Sequence, residues 1–299
     1  MSSLFNRQGW WLAIRPKTLP AAASGVITGT ALAWRDGSFQ PLPALAALAC
    51  ALLLQIGSNI ANDVYDYERG TDAQRKHGPV RVTQSGIFTP RQVKIMMAIV
   101  FGLAALCGFY LITVAGWMAL IVGIAAILSA IAYTGGPFPL GYYGLGDLFV
   151  FIFFGIAAVA GTYWVQAGTV SDLAWIMSVP IGFLIVDILV VNNLRDIDND
   201  RAAGKNTLAV RLGVRWTRIE YAALMIASYA ILPLLAWINL LPWMILIVWL
   251  AIPLAWKTTQ KVLHLEGAPL NAALAGTGQT VFLYSILFFV GIMLEKFLK

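Results

Sequence analysis

The chain has 299 residues, of which 60% are hydrophobic and only 11% charged, with a formal net charge of +6. A soluble domain carries about a quarter charged residues, so this chain has too little charge to coat a water-facing globule, and lipid must cover much of it. Cys50, Cys107, His77 and His264 are too few and too scattered for a disulfide framework, a haem or a histidine zinc site.

Taken in chain order, residues 3–14 read as an interfacial helix with Trp10 and Trp11 at headgroup depth. No small-residue cleavage site follows, so the segment is not read as a signal peptide. A helical crossing needs about 20 mostly apolar residues. Nine stretches fit: 18–34, 41–62, 95–114, 116–134, 147–166, 173–193, 219–237, 240–256 and 272–294. Tight turns are expected near Ala115–Gly116 and near Asn239. Gly25-x₃-Gly29 in the first stretch permits close helix packing. The expected fold is all-α: a polytopic membrane bundle of about nine helices. It forms a single domain over 1–299, with cytoplasmic loop helices capping the active site.

The loops fix an orientation. Of the 20 cationic residues, 17 fall in the N-terminal segment and in alternate loops; the exceptions are Arg35, Lys296 and Lys299. Cationic loops stay cytoplasmic, which puts the N-terminus inside and, after nine crossings, the C-terminus outside. Basic residues confined to short loops between apolar spans also argue against nucleic acid as a partner.

Seven of the 14 acidic residues crowd into two windows: Asp63, Asp66, Glu68 and Asp72 after the second span, then Asp196, Asp198 and Asp200 after the sixth. Each window opens on an asparagine four residues before an acid, Asn62…Asp66 and Asn192…Asp196. Residues four apart share a helix face. Asn192, Asp196 and Asp200 are therefore expected along one face over two turns, whereas the first window breaks at Gly70 and swings Asp72 back. Like charges at that spacing repel unless a cation neutralises them. Hard oxygen donors suit Mg²⁺, which keeps waters and substrate phosphates and needs only one or two carboxylates. Arg75, Lys76 and Arg81 follow the first window and Lys205 and Arg211 the second, in place to meet phosphate oxygens. Gly204-Lys205 lacks the rest of a P-loop.

At these motifs the chain resembles the UbiA-type intramembrane aromatic prenyltransferases. Within them it looks most like the branch that prenylates 1,4-dihydroxy-2-naphthoate in menaquinone synthesis. The resemblance takes in Arg15-Pro16-Lys17-Thr18-Leu19-Pro20, Asn62 to Asp72, Tyr133-Thr134-Gly135, Gly144-Leu145-Gly146-Asp147, and Asn192 to Leu208. Gly70 stands where the broader superfamily often has its last acid, and Asp72 serves instead. The resemblance implies departure of diphosphate from a polyprenyl diphosphate, assisted by Mg²⁺ held by Asn62, Asp66, Asp72, Asn192, Asp196 and Asp200. Arg75, Arg81, Lys205 and Arg211 would bind the diphosphate. The catalytic set would be Asp66, Asp72, Asp196, Asp200 and Tyr133, with Arg15 and Lys17 on the acceptor carboxylate. It also implies a bacterial inner-membrane enzyme.

Three further features carry weaker expectations. Phe149, Phe151, Phe153, Phe154, Tyr163 and Trp164 either line a groove for the prenyl tail or pack the bundle. Asp147 reads as a helix N-cap, and Asp187, inside the sixth span, as a polar partner in the cavity. Two other readings stay open: a prenyltransferase for another acceptor such as 4-hydroxybenzoate, and a cation channel or transporter with the acids at its mouth.

Overall fold

The computed structural model describes residues 6–71, 78 and 80–298, the side chains of 296–298 excepted; these residues are helical or in turns, with no strand among them. Helix α1 (Arg7–Ile14) starts at Asn6, whose side chain accepts from the Gly9 amide at 3.1 Å. Trp11 on it is 65% exposed, as an interfacial helix requires. Then come α2 (Leu19–Arg35), α3 (Pro41–Glu68), α4 (Pro90–Ala115) and α5 (Trp117–Ala132). Gly116, with φ of +81°, makes the tight turn between the last two.

Helix α6 (Gly146–Val150) passes through a π-helical stretch, Phe151–Ala157, into α7 (Ala158–Ala167). The extra residue per turn lies where Gly155 meets Gly182: a Cβ on Gly155 would fall 2.7 Å from the Gly182 Cα. Helix α8 (Asp172–Arg195) follows, then the short α9 (Ile197–Ala202) and α10 (Leu208–Trp237), kinked at Gly213. A 3₁₀ stretch, Trp243–Ala251, leads into α11 (Ile252–His264), and α12 (Leu270–Leu298) ends the chain. Asn239, at φ +58°, forms the expected turn before that stretch.

Each of the nine expected stretches overlaps a helix, although residues 133–134 and 240–242 lie outside one. Among the described residues six are long and apolar enough for a full crossing: α3, α4, the continuous Gly146–Ala167, α8, α10 and α12. The others are shorter: α2 has 17 residues, α5 has 16 and α11 has 13 after its 3₁₀ entry. At 1.5 Å per residue α5 is about 24 Å long, against a hydrocarbon core of about 30 Å.

Burial separates the centre from the rim. In α8 67% of the apolar window is buried, against 22% in α4. Met177, Ile181 and Leu184 of α8 pack fully buried with Leu32, Tyr221, Leu232, Tyr284 and Phe288. The helix that carries the second acidic motif is thus the axis of the bundle. A second apolar cluster, with Ile60, Val64, Val82, Phe88, Val93 and Met96, seats the loop after the first motif against α3 and α4.

The Gly25-x₃-Gly29 stripe packs α2 on α7. A Cβ on Gly29 would stand 2.4 Å from the Val159 carbonyl oxygen and 2.9 Å from the Thr162 Cβ. Backbone on the far side cannot yield as a flexible side chain does. Gly29→Leu is therefore expected to cost about 1–3 kcal/mol or more, read as a lower thermal midpoint in detergent. An unchanged midpoint would mean this contact does not hold the two helices together.

Candidate active site

The last turns of α3 present the first motif. Asp63 is 1% exposed and is spent on structure. Its Oδ1 accepts from the Thr83 amide at 2.9 Å and hydroxyl at 2.6 Å, and its Oδ2 from the Val82 amide at 3.0 Å. Arg15 Nη2 lies 3.8 Å from the same carboxylate. These bonds pin the loop that holds Arg81. Arg81 then donates from Nη2 to Asp66 Oδ2 at 2.9 Å, both side chains being buried. The helix ends where expected: Gly70 has φ of +75°. Arg69, just before it, donates to the carbonyls of Thr134 and Gly136.

The second motif corrects one expectation. Helix α8 stops at Arg195, and Asp196, at φ −99° and ψ 9°, turns the chain into α9, so Asn192, Asp196 and Asp200 do not lie on one unbroken helix. The Asp200 amide still donates to the Asp196 carbonyl at 2.8 Å, and all three residues face one cleft. Arg195 explains the break. Its side chain is fully buried and donates Nε to Asp196 Oδ1 at 2.9 Å, Nη2 to Asn192 Oδ1 at 2.8 Å and Nη1 to Asn271 Oδ1 of α12 at 2.9 Å. A bidentate grip on the next residue pulls the carboxylate back from the helical path.

The two motifs meet. One polar cleft is lined by Asp66, Thr71 and Arg81 from the first side and Asn192, Asp196, Asn199, Asp200 and Lys205 from the second. Lys205 Nζ is 3.9 Å from Asp200 Oδ1. Tyr142, in the 3₁₀ turn Leu140–Tyr143, bridges them. Its phenol donates to Asp66 Oδ1 at 3.0 Å and accepts from the Thr71 hydroxyl. Its ring lies 5.3 Å from both the Arg69 guanidinium and the Lys205 ammonium, and its carbonyl accepts from the Asn206 amide at 3.0 Å. Burial, and then the adjacent Asp66 carboxylate, hold the phenol well above its ordinary range, so it stays a donor.

The other expected residues sit around this cleft rather than in it. Asn62 Oδ1 accepts from Thr134 Oγ1 at 3.0 Å. Tyr133 lays its hydroxyl over Gly146, where a Cβ would come within 2.9 Å. Arg211 donates to the Tyr143 carbonyl at 2.8 Å, and Arg15 leans on Asp63. Lys17 is exposed. Asp72 and Arg75 lie outside the described residues. Asp147 is not the N-cap: Leu145 holds that position, and Asp147 lies in the first turn of α6. Asp187 is fully buried, and neither carboxylate oxygen has a hydrogen-bond partner among the described residues. Phe149 stacks on Phe153 and Phe151 packs on Phe183. Tyr163 donates to Asp36 at 2.7 Å, beyond the far end of α2.

Sequence reasoning passed over Tyr142 and gave Arg195 no role of its own. The signal for Tyr142 was weak: an aromatic in a glycine- and proline-rich loop, 135–146. That for Arg195 was its place beside Asp196.

The donor set is hard oxygen: three carboxylates and the Asn192 and Asn199 amides, with the cations Arg81 and Lys205 among them. Among the described residues no three His, Cys, Asp or Glu side chains converge closely enough to cage a metal by themselves. The set matches Mg²⁺, which is completed by waters and substrate phosphates rather than by protein alone.

Comparison with known proteins shows the family and the fold. The profile described as the UbiA prenyltransferase family matches residues 22–286. A 1,4-dihydroxy-2-naphthoate octaprenyltransferase of Escherichia coli (strain K12) is 40% identical over 298 residues, 97% of this chain and 96% of that protein. A protein of the same name from Haemophilus influenzae is 35% identical over 302 residues, covering 95% and 96%. Among solved structures, a UbiA homolog from Archaeoglobus fulgidus bound to DMAPP and Mg²⁺ superposes with a TM-score of 0.60 at 13% identity, covering 95% of this chain and 99% of that one.

Removing Arg195 would strand the buried Asp196 and leave Asn192 and Asn271 without this donor. Arg195→Ala is expected to destabilise the protein by about 3–5 kcal/mol, with Arg195→Lys recovering part of the loss. Chemical denaturation in detergent measures both, and wild-type stability in Arg195→Ala would remove Arg195 as the anchor of this motif.

Proposed function

The chain belongs to the UbiA prenyltransferase family, and we propose that it transfers a polyprenyl chain from polyprenyl diphosphate to 1,4-dihydroxy-2-naphthoate in menaquinone biosynthesis. The observation that carries the reading is the single cleft in which both acidic motifs meet two cations. The naphthoate acceptor follows from the relatives that share its length and carry that name.

In the reaction the allylic C–O bond to diphosphate breaks, and the prenyl carbon bonds to the ring carbon that bears the carboxylate. That carbon loses CO₂, and the ring returns to its quinol form. The cleft's own residues have distinct parts. Arg81 and Lys205 bind diphosphate oxygens, the guanidinium by a fork and the ammonium as a point charge. Asp66, Asn192, Asp196 and Asp200 supply the donors that would hold Mg²⁺, with Asp72 completing the set by its place in the motif. Mg²⁺, when bound, neutralises charge developing on the leaving diphosphate. Asn62 and Arg211 hold the walls of the site, and Tyr133 flanks it beside Gly146. Arg15 and Lys17 stay candidates for the acceptor carboxylate on the resemblance alone.

The protein is an integral membrane protein. A polyprenyl tail gains about 0.8 kcal/mol per CH₂ taken out of water, so the tail lies in the apolar bundle below the cleft. The resemblance implies a bacterial inner-membrane setting, and the charge of the loops favours a cytoplasmic cleft and N-terminus. The shorter helices α2 and α5 and the Trp243–His264 segment would complete nine crossings of one domain.

Asp66→Asn and Asp196→Asn are each expected to lower diphosphate release by about a thousandfold, the several kcal/mol that a metal clamp supplies. Radiolabelled prenyl diphosphate and folded, purified variants measure it, and full turnover in both would refute the two-motif site. Each candidate acceptor is then offered to the wild type. Product from 4-hydroxybenzoate and none from the naphthoate would overturn the acceptor assignment.

A further inference from the structure

Tyr142 touches residues of both motifs, yet it is neither an acid nor a cation. Five contacts run from it in different directions. The phenol donates to Asp66 of the first motif at 3.0 Å and accepts from Thr71, just past the end of α3. The ring lies against Arg69, which closes the first motif, and against Lys205, which pairs with Asp200 of the second. The main-chain carbonyl receives the Asn206 amide, next to Lys205.

The two oxygens of Asp66 are set by different partners. Arg81 fixes Oδ2 at 2.9 Å and Tyr142 fixes Oδ1. A carboxylate oxygen offers about two lone pairs, and the phenol takes one of those on Oδ1. With the phenol protonated and both oxygens bonded, the carboxylate plane cannot rotate freely about its terminal torsion, which is otherwise soft.

We propose that Tyr142 is a positioning residue: it sets the carboxylate plane of Asp66 for a divalent cation and ties that setting to Lys205 across the cleft. This rests on the reading of Asp66 as a metal ligand. Hydrogen-bond partners of ligating carboxylates typically govern metal affinity by about 10- to 100-fold.

The test is a Mn²⁺ titration followed by electron paramagnetic resonance on the full-length protein in detergent, with no prenyl substrate. Tyr142→Phe, which deletes one hydroxyl and keeps the ring, is expected to weaken Mn²⁺ binding about 10-fold or more. Thr71→Val, which removes the second partner of the phenol, gives a smaller loss in the same direction and answers the question should Tyr142→Phe not fold. In turnover, Tyr142→Phe raises the Mg²⁺ concentration for half-maximal rate and recovers most of kcat at saturating Mg²⁺. Unchanged or tighter Mn²⁺ binding in folded variants would overturn the positioning role while leaving the two-motif site standing. A wild type that binds no Mn²⁺, and whose Asp66→Asn variant still turns over, would overturn the underlying reading instead.

Discussion

A carboxylate set into the end of a lipid-covered bundle must meet a cation or a hydrogen-bond donor, because an uncompensated charge there costs several kcal/mol. Every acid in the cleft obeys this constraint. Asp66 has Arg81 and Tyr142, Asp196 has Arg195, and Asp200 has Lys205. Asp63, just outside, takes three donors from the loop at Val82–Thr83. The extramembrane segments are therefore shaped by the acids. The loop after α3 brings Arg81 to Asp66, the turn Leu140–Tyr143 brings Tyr142 to the same acid, and the segment after α9 brings Lys205 to Asp200.

The same pairing keeps the site ready for an anion with its metal. Arg81 and Lys205 are held by acids and by the Tyr142 ring rather than left to reach into solvent, so little side-chain freedom is lost when phosphate oxygens arrive. The bundle below sets the other half of the problem. Helix α8 is the most enclosed of the long helices, and the second motif sits at its end, fixed by Arg195 to Asn271 of α12. The rim helices α4 and α5 expose apolar faces to lipid, with Leu106 and Phe109 nearly 70% exposed. A polar reaction centre with an apolar surround is what a substrate with a charged head and a long hydrocarbon tail demands.

Particular residues show how far the sequence could be read. Runs of apolar residues marked the long helices of the bundle, because a crossing must satisfy its backbone internally. Gly116 and Asn239 marked turns, and Gly25 and Gly29 marked the α2–α7 contact, since each needs a conformation or an approach that a larger side chain resists. The helical spacing of Asn192, Asp196 and Asp200 correctly grouped them, although the chain reaches that grouping through a break at Asp196. Spacing assumed an unbroken helix; Arg195, gripping its own neighbour, made the break the better-bonded path. Asp147 failed as an N-cap because α6 begins two residues earlier than that role requires.

Composition, the periodicity of apolar runs and the clustering of half the acids by themselves determined a membrane-embedded all-helical chain with two Asp-rich motifs, because each signal is local in sequence. Which cation serves which acid was decided only by the tertiary structure. Arg81 for Asp66, Tyr142 between the motifs, Asn271 for Arg195 and the retirement of Asp63 to loop anchoring all join separate segments. Several cations lie near each acid along the chain, and apart from Arg195 beside Asp196 none is favoured by spacing. Only packing around α8, which excludes water from the bundle end, makes one pairing cheaper than the rest.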